Sequence, residues 1–190
     1  MHYLPGSVIG LLWLSWIAYW AIAARSAKAT LREESAAARA LHVGPLLLCA
    51  LLLAVPHIPP AWLGHRFLPQ DLALRWVAVA LTAIGLAFAV WARRHLGGNW
   101  SGAVVLKKDH HLIRSGPYRI VRHPIYSGLL LALLGTVLLV GELRALIGIA
   151  LAIAAFLGRV RAEDALMEEA FGAEYRDYRR HTPALVPFLA

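Results

Sequence analysis

The chain has 190 residues, 59% of them apolar and only 16% charged, with a mean hydropathy of +0.60. Soluble domains average roughly 45–50% apolar and about 25% charged residues, so this composition excludes an ordinary soluble fold, a disordered chain and a disulfide scaffold. The single cysteine, Cys49, lies in an apolar run and reads as a small buried hydrophobe. A net charge of +8 would point to nucleic acid in a soluble protein, but here the basic residues must first be placed relative to a bilayer.

Crossing the hydrocarbon core takes roughly 17–25 mostly apolar residues. In chain order, spans are predicted at Leu4–Ala24, at Val43–Leu63 despite its prolines, and at Trp76–Ala92 with an extension back to Leu72. A fourth follows at Ile125–Gly141, and the 14 residues of Ala145–Gly158 make a short fifth. Only Glu142-Leu143-Arg144 separates the last two, which predicts a tight helical hairpin. The expected fold class is therefore an all-α integral membrane protein with five transmembrane helices and no Rossmann domain. Met1-His2-Tyr3 supplies no basic n-region, so the first span reads as an uncleaved anchor.

Charge sets the orientation. With the N-terminus outside, sixteen lysines and arginines fall inside, at 25–39, 93–122 and 159–180, and only Arg66, Arg75 and Arg144 fall outside. That asymmetry satisfies the positive-inside rule and predicts an inner-membrane protein with its C-terminus in the cytoplasm. The basic balance is then a topology signal, and no nucleic-acid partner is expected. Small residues recur at helix-packing intervals, at Gly128, Ala132 and Thr136 and again at Gly148, Ala152 and Ala155. Such stripes let backbones approach in lipid, although alanine is simply abundant here.

Polar chemistry concentrates in two cytoplasmic segments, 93–124 and 159–190. The glycines at 97, 98 and 102 follow no strand and make no dinucleotide fingerprint, and the histidines lack metal-ligand spacing. Ser115-Gly116-Pro117-Tyr118 reads as a turn. Next, Arg122-His123-Pro124-Ile125-Tyr126-Ser127-Gly128 enters the fourth span, with His123 just ahead of the helix and Pro124 in its first turn. Backbone N–H groups there would suit an anion, while a basic interfacial anchor with Tyr126 in the aromatic belt explains the segment equally well. The fifth helix continues into the tail and carries Arg159, Glu163 and Met167 on one face, an ion pair or a site for an anion and a hydroxyl or amine. Phe171, Tyr175 and Tyr178 read as a packing stripe, and the apolar end 184–190 as a segment folded back onto the bundle.

Taken together, His110-His111-Leu112-Ile113-Arg114-Ser115-Gly116-Pro117-Tyr118 and Arg122 to Gly128 resemble the isoprenylcysteine carboxyl methyltransferase family. So do Arg159-x-x-x-Glu163, Phe171-Gly172-x-x-Tyr175-x-x-Tyr178, Pro183 and Pro187. The resemblance covers 93–190, the expected catalytic half of a single domain, while 1–92 is similar only in hydropathy. It implies an S-adenosyl-L-methionine-dependent methyltransferase that releases S-adenosyl-L-homocysteine, with a cytoplasmic cofactor pocket and no metal. By resemblance, His110, His111, Leu112, Ile113, Tyr118, His123, Pro124, Ile125, Tyr126 and Glu163 hold the cofactor, and Arg159 serves the substrate and catalysis. A polar cofactor contact of the family falls on Ala103 here, so it is absent, shifted or made by backbone. The implied partners are the lipid bilayer and a lipophilic or prenylated methyl acceptor.

Two other enzyme readings stay open, a phospholipid N-methyltransferase and a thiol S-methyltransferase. The non-enzymatic alternative is a small transporter or accessory protein. Transport would favour intramembrane charges, and the spans hold none except Arg75.

Overall fold

A computed structural model describes residues 4–25, 36–56, 58–69, 71–100 and 112–187. Among these residues six α-helices run α1 (Leu4–Ala24), α2 (Ala36–Ala54), α3 (Leu72–Leu96), α4 (Pro124–Val140), α5 (Leu143–Phe171) and α6 (Ala173–His181). Among the described residues the only β-type pairing is an isolated bridge between Arg66 and Glu142. Three helices, α1, α3 and α5, are long and apolar enough to cross a membrane, and α2 and α4 contribute shorter apolar stretches. Large side chains such as Leu11, Leu14, Ile22 and Leu47 stand more than 60% exposed on this bundle. Apolar surface on that scale suits lipid rather than water.

One expected boundary moves. The second apolar helix ends at Ala54, not at Leu63. Prolines 56, 59 and 60 explain this, because each lacks an N–H and disfavours helix in the residue before it; the chain resumes as a 3-10 turn at Ala61–Gly64. The fifth helix continues past its short apolar stretch into the tail, as its sequence suggests, and forms one continuous helix of 29 residues. At the head of α3, the Asp71 side chain caps the helix by accepting from Ala73 N at 3.3 Å, so α3 starts at Leu72.

The last two apolar helices are joined by Gly141-Glu142 alone, with Gly141 in the left-handed region at φ 62°. Their small-residue stripes do not face one another, however. The α4 stripe packs against α3, where a Cβ on Gly128 would lie 2.6 Å from Gly85 O and 2.7 Å from Ala89 N. Thr82 sits in the same seam, fully buried, and donates to Ala78 O at 2.9 Å and across to Ala132 O at 3.3 Å. The α5 stripe turns to α2, with Cys49, Ala152 and Phe156 in one buried cluster. Close approach between α4 and α5 is thus replaced by two seams with earlier helices. Helix α1 docks through Trp13, whose Nε1 donates to Thr136 Oγ1 at 3.0 Å.

The polar residues sort to two ends. At one end Arg144, 6% exposed, donates to the carbonyl of Leu52 in the last turn of α2 and to that of Val55 just beyond it, and pairs with Glu142 at 2.6 Å. Arg66 joins them, 3.1 Å from Glu142, beside a cavity of about 580 Å³ lined by Pro56, Pro59, His65 and Glu142. At the other end the C-termini of α1 and α3 meet. Buried Arg93 donates to Ala23 O at 2.6 Å and to Gly97 O at 2.8 Å, and its guanidinium lies 4.4 Å from the Trp100 ring centroid. That second end also gathers the start of α4 and the polar stretch of α5.

Candidate active site

Gly116 adopts φ 59°, a conformation open to glycine, and starts a 3-10 turn over Gly116–Arg119. The turn buries Tyr118, whose carbonyl accepts from the Tyr178 hydroxyl at 2.5 Å and whose ring clusters with Ala92 and Ile125. Burial pushes the Tyr118 phenol up well past its ordinary range and Tyr178 to about 12, so both act as neutral hydroxyls. Ile113 and Trp20 pack against the same cluster. His123 then precedes α4, and Pro124 occupies its first turn. The C-terminal segment folds back here, its Pro183 and Ala184 carbonyls accepting from the backbone N–H groups of Arg122 and His123 at 2.9 and 3.0 Å.

These constraints deliver His123 and Tyr126 to the face of α5 that carries Arg159 and Glu163. Tyr126 OH donates to Glu163 Oε1 at 2.5 Å and accepts from Arg159 Nε at 2.9 Å. Arg159 Nη2 reaches the same Glu163 oxygen at 3.2 Å, the ion pair that four-residue helical spacing allows. On the other side, His123 Nδ1 lies 3.3 Å from Glu163 Oε2. The rings of His123, Tyr126 and Phe156 form a stacked series with centroid separations of 5.8 and 5.0 Å.

One residue of the cluster is absent from the sequence reading. Asp164, 5% exposed, accepts from His123 Nε2 at 2.7 Å, Arg122 Nη2 at 2.9 Å and Tyr175 OH at 2.5 Å. Tyr175, read from sequence as packing, is therefore also a polar partner. The signal was available as an adjacent basic pair, Arg122-His123, matched to an adjacent acidic pair, Glu163-Asp164. Burial alone would lower the His123 pKa, but hydrogen bonds to Asp164 and Glu163 outweigh it and hold the imidazole above its ordinary value.

Of the residues assigned by resemblance, Tyr118, His123, Pro124, Ile125, Tyr126, Arg159 and Glu163 gather at this end of the bundle. Leu112 and Ile113 are half-buried, and Ile113 packs on the Tyr118 cluster. His110, His111 and Ala103 lie outside the described residues.

Residues 77–169 match the family described as the isoprenylcysteine carboxyl methyltransferase (ICMT) family. That match covers just under half of the chain, from α3 to near the end of α5. Among similar proteins, the cobalt-zinc-cadmium resistance protein CzcN of Cupriavidus metallidurans is 33% identical over 130 residues, covering 68% of this chain and 55% of CzcN. The protein-S-isoprenylcysteine O-methyltransferase of Schizosaccharomyces pombe is 31% identical over 115 residues, covering 59% of this chain and 49% of its own. The chain thus spans about half the length of the curated relatives it matches. A solved structure of the eukaryotic intramembrane Ras methyltransferase ICMT shares the fold, with a TM-score of 0.52 and 21% identity over 83% of this chain and 55% of that one. The family match, the shared fold and the three long apolar helices together support a multi-pass membrane protein.

Proposed function

We propose that the chain is an integral-membrane S-adenosyl-L-methionine-dependent methyltransferase that esterifies the carboxylate of an isoprenylcysteine-like or other lipophilic acceptor. The observation that carries this is the Arg159–Tyr126–Glu163–His123 cluster, set within the family match at the end of an apolar bundle.

The residues present fit the methyl donor. Glu163 keeps 22% of its side-chain surface open, so a carboxylate oxygen is reachable by an amine or ribose hydroxyl. The Tyr126 ring is stacked between His123 and Phe156 and Tyr118 packs on His95, so these two would serve the cofactor through ring edges and hydroxyls. His110, His111, Leu112, Ile113, Tyr118, His123, Pro124, Ile125, Tyr126 and Glu163 would hold the cofactor, whose chemistry is an electrophilic methyl group. This chain's own residues bind, orient and exclude water around an in-line displacement.

A carboxylate acceptor, with an ordinary pKa near 4, is ionised at neutral pH and needs no base. Arg159, 9% exposed, would hold it through the planar guanidinium. An amine, with a pKa near 10, would have to surrender a proton first. Glu163 is a weak base for this, because its partners Tyr126, Arg159 and His123 stabilise the ionised carboxylate. This favours O-methylation over the phospholipid N-methyltransferase reading. Thiol S-methylation remains the competing outcome.

The sorting of polar residues to two ends supports five membrane crossings. The charge asymmetry supports placing the Glu163 end and the C-terminus in the cytoplasm and the Arg66–Glu142–Arg144 end outside. In this reading residues 1–190 form a single domain, 93–190 supply the chemistry, and 1–92 complete the bundle. Calorimetric titration of the purified protein with S-adenosyl-L-homocysteine tests the cofactor: micromolar or tighter binding is expected, and no binding by folded protein would refute it.

A further inference from the structure

Glu163 and Arg159 can be assigned roles by resemblance, but Asp164 cannot, and nothing about methyl transfer requires a second buried carboxylate. Its three partners come from three different parts of the chain. His123 and Arg122 belong to the segment ahead of α4, and Tyr175 to α6, while Asp164 itself is on α5. Arg122 extends the network by donating to the carbonyls of Arg179 and Thr182 at the end of α6. The imidazole is thus held at both nitrogens, Nε2 by Asp164 and Nδ1 facing Glu163.

We propose that Asp164 is a positioning residue: it holds His123 as a doubly protonated imidazolium whose second N–H points at Glu163, fixing the orientation of the Glu163 carboxylate. Geometry carries this. A neutral imidazole donates from one nitrogen only, so one of the two carboxylate contacts would become acceptor against acceptor. Glu163 and Asp164 on α5 and Tyr126 on α4 contact His123 directly, while Arg122, Arg159 on α5 and Tyr175 on α6 are bonded to those two carboxylates. Arg122 already pairs with Asp164 Oδ2 and Arg159 with Glu163 Oε1, leaving Oδ1 and Oε2 to the ring. The side-chain partners of Asp164 are His123, Arg122 and Tyr175, so it would reach the cofactor site only through His123. The inference deepens the proposed cofactor site and rests on that reading for its consequence, though not for the His123 protonation state itself.

The test is nitrogen NMR of histidine-labelled full-length protein in nanodiscs, with His123 identified by its loss in His123→Gln. In the unmodified protein both His123 ring nitrogens should carry protons at about pH 7.5, a unit above the ordinary histidine value near 6.5. Asp164→Asn should lower the His123 titration midpoint by about one pH unit or more. Tyr175→Phe, which removes a hydrogen bond of similar packing weight but keeps the carboxylate, should move it by less than about a third of that. Asp164→Asn should also weaken S-adenosyl-L-homocysteine binding about tenfold at pH 7.5 and recover at pH 6, a rescue that a merely structural defect would not show. A neutral His123 in the unmodified protein at pH 7.5 overturns the proposal, even if Asp164→Asn does not fold. Equal displacement in the Asn and Phe variants overturns it too. If the unmodified protein binds no S-adenosyl-L-homocysteine, the cofactor reading fails while the titration still decides the role of Asp164.

Discussion

Tyr126 donates its phenolic proton to Glu163 Oε1 across 2.5 Å, and the same hydroxyl accepts from Arg159 Nε at 2.9 Å. One hydroxyl thereby joins the start of α4 to the polar stretch of α5 and fixes where the guanidinium and the carboxylate sit relative to each other. Because the ring also stacks between His123 and Phe156, its position is set by packing as well as by polar contact.

Tyr126→Phe keeps the stack and deletes the bridge. Both lost hydrogen bonds are to charged groups, so it should cost roughly 1.5–3 kcal/mol of stability or more, as read by thermal unfolding in detergent. Glu163→Ala should weaken S-adenosyl-L-homocysteine by at least about tenfold, since charge-assisted hydrogen bonds contribute roughly 1.5–3 kcal/mol each. Unchanged calorimetric affinity in folded Glu163→Ala protein would remove Glu163 from the cofactor site.

The α3–α4 seam predicts a sharp contrast between two glycines. Gly128→Ala would drive a methyl to 2.6 Å from Gly85 O and 2.7 Å from Ala89 N, backbone that cannot step aside, and should destabilise by about 1–3 kcal/mol or more. Gly10→Ala on exposed α1 meets nothing within 4 Å and should be neutral or stabilising by up to about 1 kcal/mol. Comparing the unfolding temperatures of the two variants checks this directly.

The helices and the α4 entry were legible in the sequence because hydropathy and proline chemistry are local. His123 ahead of the helix, Pro124 inside it and the Gly116 turn all follow from backbone preferences of single residues. The partner of each helix was not legible. Gly128 and Gly148 advertise close approach, but sequence spacing cannot say that one meets Gly85 and the other Cys49. Asp164 escaped for a related reason: its partners lie 41 and 42 residues upstream and 11 downstream, and only the fold brings them to one carboxylate. The early end of α2 was legible in principle, since Pro56, Pro59 and Pro60 are strong helix breakers that the hydropathy of the segment conceals.

His123 gives the stability a pH dependence of defined sign. Its pKa is raised in the folded protein, so the stabilisation it contributes is fully present below the unfolded value near 6.5 and is lost as pH rises through the raised folded value. Unfolding temperature should therefore fall as pH climbs above about 6.5, and His123→Gln should flatten that part of the profile. A profile identical in the two proteins would show that His123 is not the group responsible.

Arg159 separates the acceptor classes, and methyl transfer measured with matched lipophilic carboxylate, amine and thiol acceptors decides among them. In a labelled-methyl assay the unmodified protein should methylate a farnesylated cysteine carboxylate in preference to the other two. Arg159→Ala should abolish that transfer while S-adenosyl-L-homocysteine binding stays nearly intact, and Arg159→Lys should recover only part of it, because an ammonium lacks the planar two-point contact. Preferential transfer to the amine or thiol, or full carboxylate activity in Arg159→Ala, would contradict carboxyl methylation at this site.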